Sequence, residues 1–249
     1  MIVWSTNTGM VFSIFNRPHH QRIAKILTAF NSELLQQAEC YFAGGTAIVL
    51  SLDEYRESVG IDFLCASNEG YRLLRNTVSE QGLGALLNEP IKYLREVRAD
   101  RYGVRTLLEI DGTPIRVELV SEARISITGN YHPKFGVPTL SQVDMYAEKL
   151  LANADRGLDK STMSRDIIDL SMMMNAWGEI PEMAWTKAYS AYGEHVVEAF
   201  DKAVALIQDN NHLLACLQKM HMDENLIESI PATLTTHALR NIPSPFSRE

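Results

Sequence analysis

The chain has 249 residues, of which 46% are hydrophobic, and carries a net charge of −8. This length and composition are sufficient for one large domain or for two domains of ordinary size. The negative net charge argues against sequence-independent binding of nucleic acid, which requires many cations to neutralise phosphates. It does not argue against a local basic patch.

The apolar runs and the cysteines indicate a protein of a reducing compartment. No apolar run approaches the ~20 residues that span a bilayer, and the first residues lack the basic segment of a secretion signal. Cys40, Cys65 and Cys216 lie far apart, a spacing that fits neither a zinc motif nor a disulfide framework. We therefore predict a cytoplasmic protein with no membrane partner.

The first predicted element is a helix from Pro18 to Ala38. Its apolar residues recur at helical spacing, and Pro18 suits the first turn. His19 and His20 are adjacent and diverge on a helix, so they are poor joint ligands. We expect both to be exposed.

A strand, a glycine turn, a helix and a second strand are predicted between Tyr41 and Ser67. Gly44 and Gly45 separate a short apolar run from the helix-like sequence TAIVLSL. Because glycine has no Cβ, the backbone at this turn can approach a ligand closely. The free N–H groups at the start of the helix favour an anion, most naturally a phosphate.

The second strand contains one acidic residue, Asp62. Alternation along the strand predicts two faces, with Gly60, Asp62 and Leu64 on one and Val59, Ile61, Phe63 and Cys65 on the other. An ionised carboxylate in an apolar strand is costly unless it is paired or binds a metal. Asp62 is therefore a candidate metal ligand; alternatively, it caps a turn or pairs with Arg56.

A helix and a β-meander are predicted next. The helix runs from Asn68 to Ser79, and its Arg72 and Arg75 either form a solvated face or meet phosphate. The strands are IKYLREV, GVRTLLEI and TPIRVELV, with a hairpin dipeptide at Asp111-Gly112. Glu118 lies on the last strand, opposite its apolar face. It is a second candidate carboxylate, unless it pairs with Arg116 or Arg105 across the sheet.

After Pro138 the sequence becomes helical. Ser141 to Asp144 resembles a capping box, and the helix that it opens carries Lys149 and Arg156 on one side, about 10.5 Å apart along the axis. That spacing suits contacts with different parts of one nucleotide, and we expect both residues to be exposed cations. The next helix is predicted over Thr162 to Trp177.

On that helix, the polar residues Arg165, Asp166 and Asp169 lie opposite a packing stripe of apolar residues. From Pro181 to Leu239 the periodicity stays helical and carries no functional signal. Asn241 to Glu249 contains two prolines and is predicted to be a loose end.

Two sets of motifs resemble the nucleotidyltransferase fold shared with DNA polymerase β, and within it the AbiEii type of bacterial toxin. The first set is AGGTAIVL, Arg56 with Ser58, and the strand aspartate Asp62. The second set is AEKLLANADRG followed by SRDIIDL. The resemblance covers roughly residues 41 to 170. The chain departs from the family at Gly60, where the first aspartate of Asp-x-Asp would stand.

The resemblance implies an α/β (α+β) fold, in which a mixed sheet with flanking helices is followed by a helical domain. We place the nucleotidyltransferase-like domain at residues 1–138 and the helical domain at residues 139–249. The implied activity is transfer of a nucleoside monophosphate from an NTP to a hydroxyl of RNA, such as tRNA, or of protein. Membership of a toxin–antitoxin pair, with a cognate antitoxin as partner, is also implied.

The resemblance also implies roles for individual residues. Asp62 and Glu118 would hold Mg²⁺ and act in catalysis together with Lys149. The expected nucleotide-binding residues are Gly44, Gly45, Thr46, Arg56, Ser58, Lys149, Arg156, Arg165 and Asp166.

Gly60 supports an alternative. Loss of a shared metal ligand would remove ~3–5 kcal/mol of transition-state stabilisation. The alternative is a degenerate member that binds nucleotide or a partner protein with little transferase activity. A purely structural protein would require all of these motif matches to be coincidental.

Overall fold

The computed structural model describes residues 15–238, and its contacts divide this part of the chain into two compact units. The first unit contains residues 15–54, Ser58–Ala123 and Ile127–Leu140. The second contains Tyr55–Glu57, Arg124–Ser126 and residues 141–238. The predicted domain boundary at residue 138 falls inside the last strand of the first unit. The predicted loose end at 241–249 lies outside the described residues.

The first unit is a mixed sheet with helices. Its elements in chain order are α1 (Pro18–Ala29), α2 (Ser32–Gln37), β1 (Cys40–Ala43), α3 (Gly44–Ser51), β2 (Gly60–Cys65), α4 (Asn68–Gln81), β3 (Lys92–Tyr93), β4 (Arg98–Ala99), β5 (Gly103–Ile110), β6 (Thr113–Ser121), β7 (Gly129–His132) and β8 (Val137–Leu140). A 3-10 turn at Leu83–Leu86 follows α4.

The strand order is β3-β5-β6-β2-β1-β8-β7, with β4 also paired to β5. The β2–β6 and β1–β8 pairs are parallel, whereas β1–β2, β5–β6 and β7–β8 are antiparallel. This arrangement confirms the predicted mixed α/β fold. It brings β2 and β6, which carry the two candidate carboxylates, next to each other.

The alternation predicted for β2 and β6 is confirmed. Ile61 and Phe63 are buried on the same side of the sheet as Val117 and Leu119, while Asp62 and Leu64 are half-buried on the other side. Val59 is the exception, because β2 begins only at Gly60 and the Val59 side chain is exposed. The sheet therefore has an apolar face toward the core and a polar face that carries Asp62.

The predicted meander is confirmed for its last two strands. Asp111 and Gly112 connect β5 to β6 with φ angles of +51° and +73°, which a tight hairpin turn requires. The first predicted strand, IKYLREV, is wrong in extent, since only the short strand β3 lies within it and β4 begins after its last residue.

The single helix predicted over Pro18 to Ala38 is interrupted. Phe30 is extended, and the Asn31 side chain accepts a hydrogen bond from the Leu34 N–H, which starts α2. The expected exposure of the two adjacent histidines is wrong for His20, which is fully buried. Cys40 and Cys65 are buried cross-strand neighbours with free thiols, as expected for core residues.

The second unit is helical in the residues described. It contains α5 (Gln142–Arg156), α6 (Arg165–Trp177), α7 (Glu182–Tyr192), α8 (Glu194–Ile207), α9 (Asn210–Lys219) and α10 (Leu226–Ala238). None of the helices in residues 15–238 combines the length and the apolar character required to cross a bilayer.

The starts of α5 and α6 differ in how well the sequence predicts them. The predicted capping box is confirmed, because the Ser141 hydroxyl accepts a hydrogen bond from the Asp144 N–H at 3.2 Å. The predicted start of the next helix at Thr162 is wrong. Met163 and Ser164 adopt left-handed backbone conformations, so α6 begins at Arg165.

Candidate functional site

The glycine turn between β1 and α3 lies directly beside Asp62. Ala43 pairs with Asp62 across the antiparallel strands, and Gly44 follows with a φ of +72°. A Cβ placed on Gly44 would lie 2.9 Å from Asp62 Oδ2. Glycine at this position therefore serves both the backbone conformation and the close approach of the carboxylate.

Thr46, in the first turn of α3, ties this turn to the start of β2. Its hydroxyl donates a hydrogen bond to the Gly60 carbonyl and lies 2.7 Å from the Ser58 hydroxyl. Because the Thr46 proton is used by the carbonyl, Ser58 is the donor in the second contact. The structure thus brings together Gly44, Thr46, Ser58 and Asp62 of the predicted site.

A buried histidine, which the sequence analysis assigned to the surface, supports the same segment. His20 Nε2 accepts a hydrogen bond from the Ser58 N–H at 3.0 Å, and Nδ1 lies 2.8 Å from Glu54 Oε1. Since Nε2 is an acceptor, the proton resides on Nδ1 and is donated to Glu54. Burial lowers the pKa of His20 below its usual value despite the adjacent carboxylate.

Asp62 and Glu118 are direct neighbours on the polar face of the sheet, paired in register across parallel β2 and β6. Arg116 joins them: Nη2 lies 3.1 Å from Asp62 Oδ1, and Nη1 contacts Glu118 Oε2. Arg105 Nε lies 3.6 Å from Glu118 Oε1. The alternative pairing of Asp62 with Arg56 is wrong, whereas the alternative pairing of Glu118 with both arginines is present.

The residues on this face do not fit a pair of divalent metals. A metal pair requires several carboxylate oxygens directed at one point, but Gly60 offers none and Arg116 is paired with both carboxylates present. Within residues 15–238, no group of three or more His, Cys, Asp or Glu is arranged to hold a metal ion. The assignment of Asp62 and Glu118 as Mg²⁺ ligands stays a prediction from the resemblance.

A second cluster of the predicted residues lies within the helical unit, around Asp166 and Asp169 of α6. Lys149 Nζ lies 2.8 Å from Asp166 Oδ1 and 2.7 Å from Asp169 Oδ2. Arg156 binds both oxygens of Asp166, at 2.7 and 3.0 Å. The expectation that Lys149 is an exposed cation is wrong: the side chain is buried between two carboxylates.

Asp169 is the most enclosed member of this cluster. Arg56 forms a fork with both of its oxygens, at 2.7 and 2.8 Å, and the Tyr55 hydroxyl donates to it at 2.6 Å. Arg56 also donates to the Glu57 carbonyl. Arg56 therefore holds Asp169 in place, and its role in nucleotide binding stays a prediction.

The pKa shifts follow from this geometry. Burial opposes ionisation of Asp169, but Arg56 and Lys149 lower its pKa below the usual value. Burial likewise opposes ionisation of Asp166, and Lys149 with Arg156 lowers its pKa. Both aspartates are therefore ionised at neutral pH.

The half-buried Arg165 begins α6, and burial together with Arg156 lowers its pKa. Arg165 and Arg156 are thus two cations near one another at the edge of the aspartate cluster.

Sequence reasoning did not assign three residues that support the site segments: His20, Glu54 and Asp169. For Asp169 a signal existed, because it is the second aspartate of the SRDIIDL motif. His20 and Glu54 carried no comparable signal, since a histidine pair and a loop glutamate are ordinary surface residues in a sequence.

Comparison with solved structures gave matches at low sequence identity. JHP933 from Helicobacter pylori is similar in structure, with a TM-score of 0.51 and 14% identity over 89% of this chain and 92% of that chain. An antigenic nucleotidyltransferase-like protein from Paracoccidioides brasiliensis has a TM-score of 0.47 and 14% identity over 86% of this chain and 98% of that chain. A search of curated proteins gave no match.

At these identities the structural likeness concerns the fold alone. The family is shown by the sequence itself. The family model described as nucleotidyl transferase AbiEii toxin, type IV toxin–antitoxin system, matches residues 25–242, which include the glycine turn, both candidate carboxylates and the aspartate cluster. The chain therefore belongs to the AbiEii nucleotidyltransferase toxin family.

Proposed function

We propose that this protein transfers a nucleoside monophosphate from an NTP to a hydroxyl of RNA or of protein, as the toxin of a toxin–antitoxin pair with a cognate antitoxin. Family membership supports nucleotidyl transfer. The observation that carries the proposal is the glycine turn at the start of α3, which lies against Asp62 with Glu118 beside it.

The glycine turn supplies the phosphate site. The backbone N–H groups of Gly44, Gly45 and Thr46 lie at the start of α3, where a helix has unsatisfied donors and a positive dipole end. The Ser58 hydroxyl donates its proton to Thr46, so Ser58 holds Thr46 in place and leaves the phosphate contacts to the backbone N–H groups. These groups suit the β- and γ-phosphates of the NTP.

The helical unit has cations of its own. Arg156 binds Asp166 while 42% of its side chain stays exposed, so its outer N–H groups can bind a phosphate. Arg165 is half-buried beside it. Lys149 and Asp166 are buried and hold Arg156 in place, a positioning role that leaves the ligand contacts to the arginines.

In the transfer, the acceptor oxygen bonds to the α-phosphorus as the bond to the bridging oxygen breaks and pyrophosphate leaves. The acceptor hydroxyl loses its proton, and the carboxylates of Asp62 and Glu118 can each accept it. Magnesium is the metal that the resemblance implies. Because the residues present do not fit a metal pair, no step is assigned to it.

The decisive experiment measures label transfer from each of the four α-³²P-labelled NTPs to RNA and to protein, with and without Mg²⁺. We expect labelling from at least one NTP, lost in Asp62→Asn. The control is Asp111→Asn, since Asp111 lies in the exposed hairpin and pairs with Lys25. Absence of labelling from every NTP with both acceptors would contradict transferase activity.

Gly60 and the Arg116 pairing favour one alternative, a degenerate member that binds nucleotide or a partner without transfer. Its signature is an NTP-dependent rise in melting temperature without labelling, because a ligand bound by the folded state stabilises it. Thr46→Arg should abolish that rise by filling the phosphate site. No rise with any NTP at millimolar concentration would contradict both functions.

A further inference from the structure

The position of the missing aspartate is occupied by a cation. Gly60 pairs in register with Arg116 across β2 and β6. A Cβ placed on Gly60 would lie 3.1 Å from Arg116 Nη2 and 3.3 Å from Nε. The guanidinium thus lies over the glycine, in the space that a side chain at position 60 would enter.

Gly60 and Arg116 are therefore structurally matched. The absence of a side chain at position 60 lets the guanidinium extend across β2 to reach Asp62 while it also contacts Glu118. A carboxylate at position 60 would compete for the same guanidinium. Gly60, which stands where the family has an aspartate, and the guanidinium of Arg116 therefore lie at the same place on the sheet.

The charge of the face changes accordingly. Asp62 and Glu118 contribute two negative charges, and Arg116 pairs with both of them, while Arg105 is shared between Glu118 and Asp100. Carboxylates that are already paired with a guanidinium attract a divalent cation far less than a cluster of unpaired carboxylates does. The exposed guanidinium of Arg116 is instead a group that can bind an anion.

Arg116 is also accessible. About half of its side chain is exposed, at 52%. A guanidinium presents five N–H donors in a planar fork that matches phosphate oxygens, so it can bind a phosphate while it keeps a carboxylate contact. Exposed ion pairs of this kind exchange partners at little cost in free energy.

We propose that Arg116 is the phosphate-binding cation of this site and that it binds the NTP without a divalent metal. The ligand class, a nucleoside triphosphate, rests on the proposed function. The requirement for Arg116 in place of metal is new to this chain and follows from the Gly60–Arg116 pairing.

The test measures NTP affinity by calorimetry for the natural protein and for Arg116→Gln, each in EDTA and in Mg²⁺. We expect the natural protein to bind in EDTA with an affinity within about threefold of that in Mg²⁺, and Arg116→Gln to weaken binding in EDTA by about tenfold or more. Lys92→Gln is the matched control, because Lys92 is an exposed cation of the same sheet that pairs with Glu109 rather than with a site residue. It should change affinity by less than about threefold.

A double variant sharpens the test. Gly60→Asp with Arg116→Gln supplies three carboxylates and removes the guanidinium, so its NTP binding should require Mg²⁺. Melting temperatures of all variants report whether the fold is intact.

Binding that requires Mg²⁺ in the natural protein and is unaffected by Arg116→Gln would overturn the role of Arg116 and leave the proposed function standing. Absence of NTP binding in both buffers would overturn both.

Discussion

The predicted site residues lie in two clusters of carboxylates and cations within residues 15–238, and these clusters differ in burial. On the sheet of the first unit, the side chains of Asp62, Glu118 and Arg116 are 31%, 23% and 52% exposed. In the helical unit, Asp166 and Asp169 are 1% and 0% exposed. Both clusters pair carboxylates with cations, but water reaches the first cluster and not the two aspartates of the second.

The difference in burial indicates that the two clusters have different roles. Ion pairs that water reaches contribute about 0–1 kcal/mol and can exchange a protein partner for a ligand. Buried ion pairs cannot lose one partner without leaving a charge in an apolar environment, at a cost of about 3–5 kcal/mol. The sheet face is therefore suited to binding, and the core of the aspartate cluster to holding Arg156 and the helices in place.

The largest expected effect is a difference in the free energy of unfolding between variants of the two clusters. Asp169→Ala leaves Arg56 buried without its carboxylate, so the free energy of unfolding should fall by about 3–5 kcal/mol. Asp62→Ala removes a partly exposed pair and should lower it by less than about 1 kcal/mol. Urea unfolding followed by circular dichroism measures both. Equal losses in the two variants would show that the clusters do not differ as their burial indicates.

A smaller effect concerns the turn beside Asp62. Gly44→Ala and Gly112→Ala both place a Cβ on a residue with φ near +72°, which costs ~1–2 kcal/mol. At Gly112 no atom lies within 4 Å of the new Cβ, whereas at Gly44 it meets Asp62 Oδ2. We expect Gly44→Ala to be the more destabilising by about 1 kcal/mol and to weaken NTP binding as well. If the two variants lose the same stability and Gly44→Ala binds NTP as the natural protein does, the glycine turn is not part of the NTP site.

Much of this arrangement could be predicted from the sequence because it is local. The strand–glycine–helix order, the face of Asp62 and the hairpin at Asp111-Gly112 depend on residues within a few positions of one another. Membership of the AbiEii family was also predictable, since its motifs are contiguous.

The partners of the charged residues could not be predicted. Arg56 binds Asp169, 113 residues away in the chain, and spacing alone gave no reason to prefer it over Asp62. The burial of Lys149 could not be foreseen either, because a helical pattern shows which residues share a face and not what covers it. The position of Arg116 over Gly60 could be predicted only by knowing that β2 and β6 pair in parallel.

The smallest expected effect is a dependence of stability on pH through His20. Its pKa in the folded protein is below the unfolded value of about 6.5, so the unfolded chain binds more protons as the pH falls. Stability from this group is therefore present above about pH 6.5 and declines at lower pH. His20→Gln should flatten this part of the unfolding free energy measured between pH 8 and pH 5. An unchanged slope would show that His20 does not titrate on unfolding.

The central claim is that the NTP phosphates bind at the glycine turn beside Asp62. Hydrogen exchange of backbone amides, measured by mass spectrometry with and without saturating NTP, tests it most directly. We predict slower exchange at Gly44, Gly45 and Thr46 in the presence of NTP. Bound NTP that leaves these amides unchanged, with slower exchange confined to α7 through α10, would contradict it.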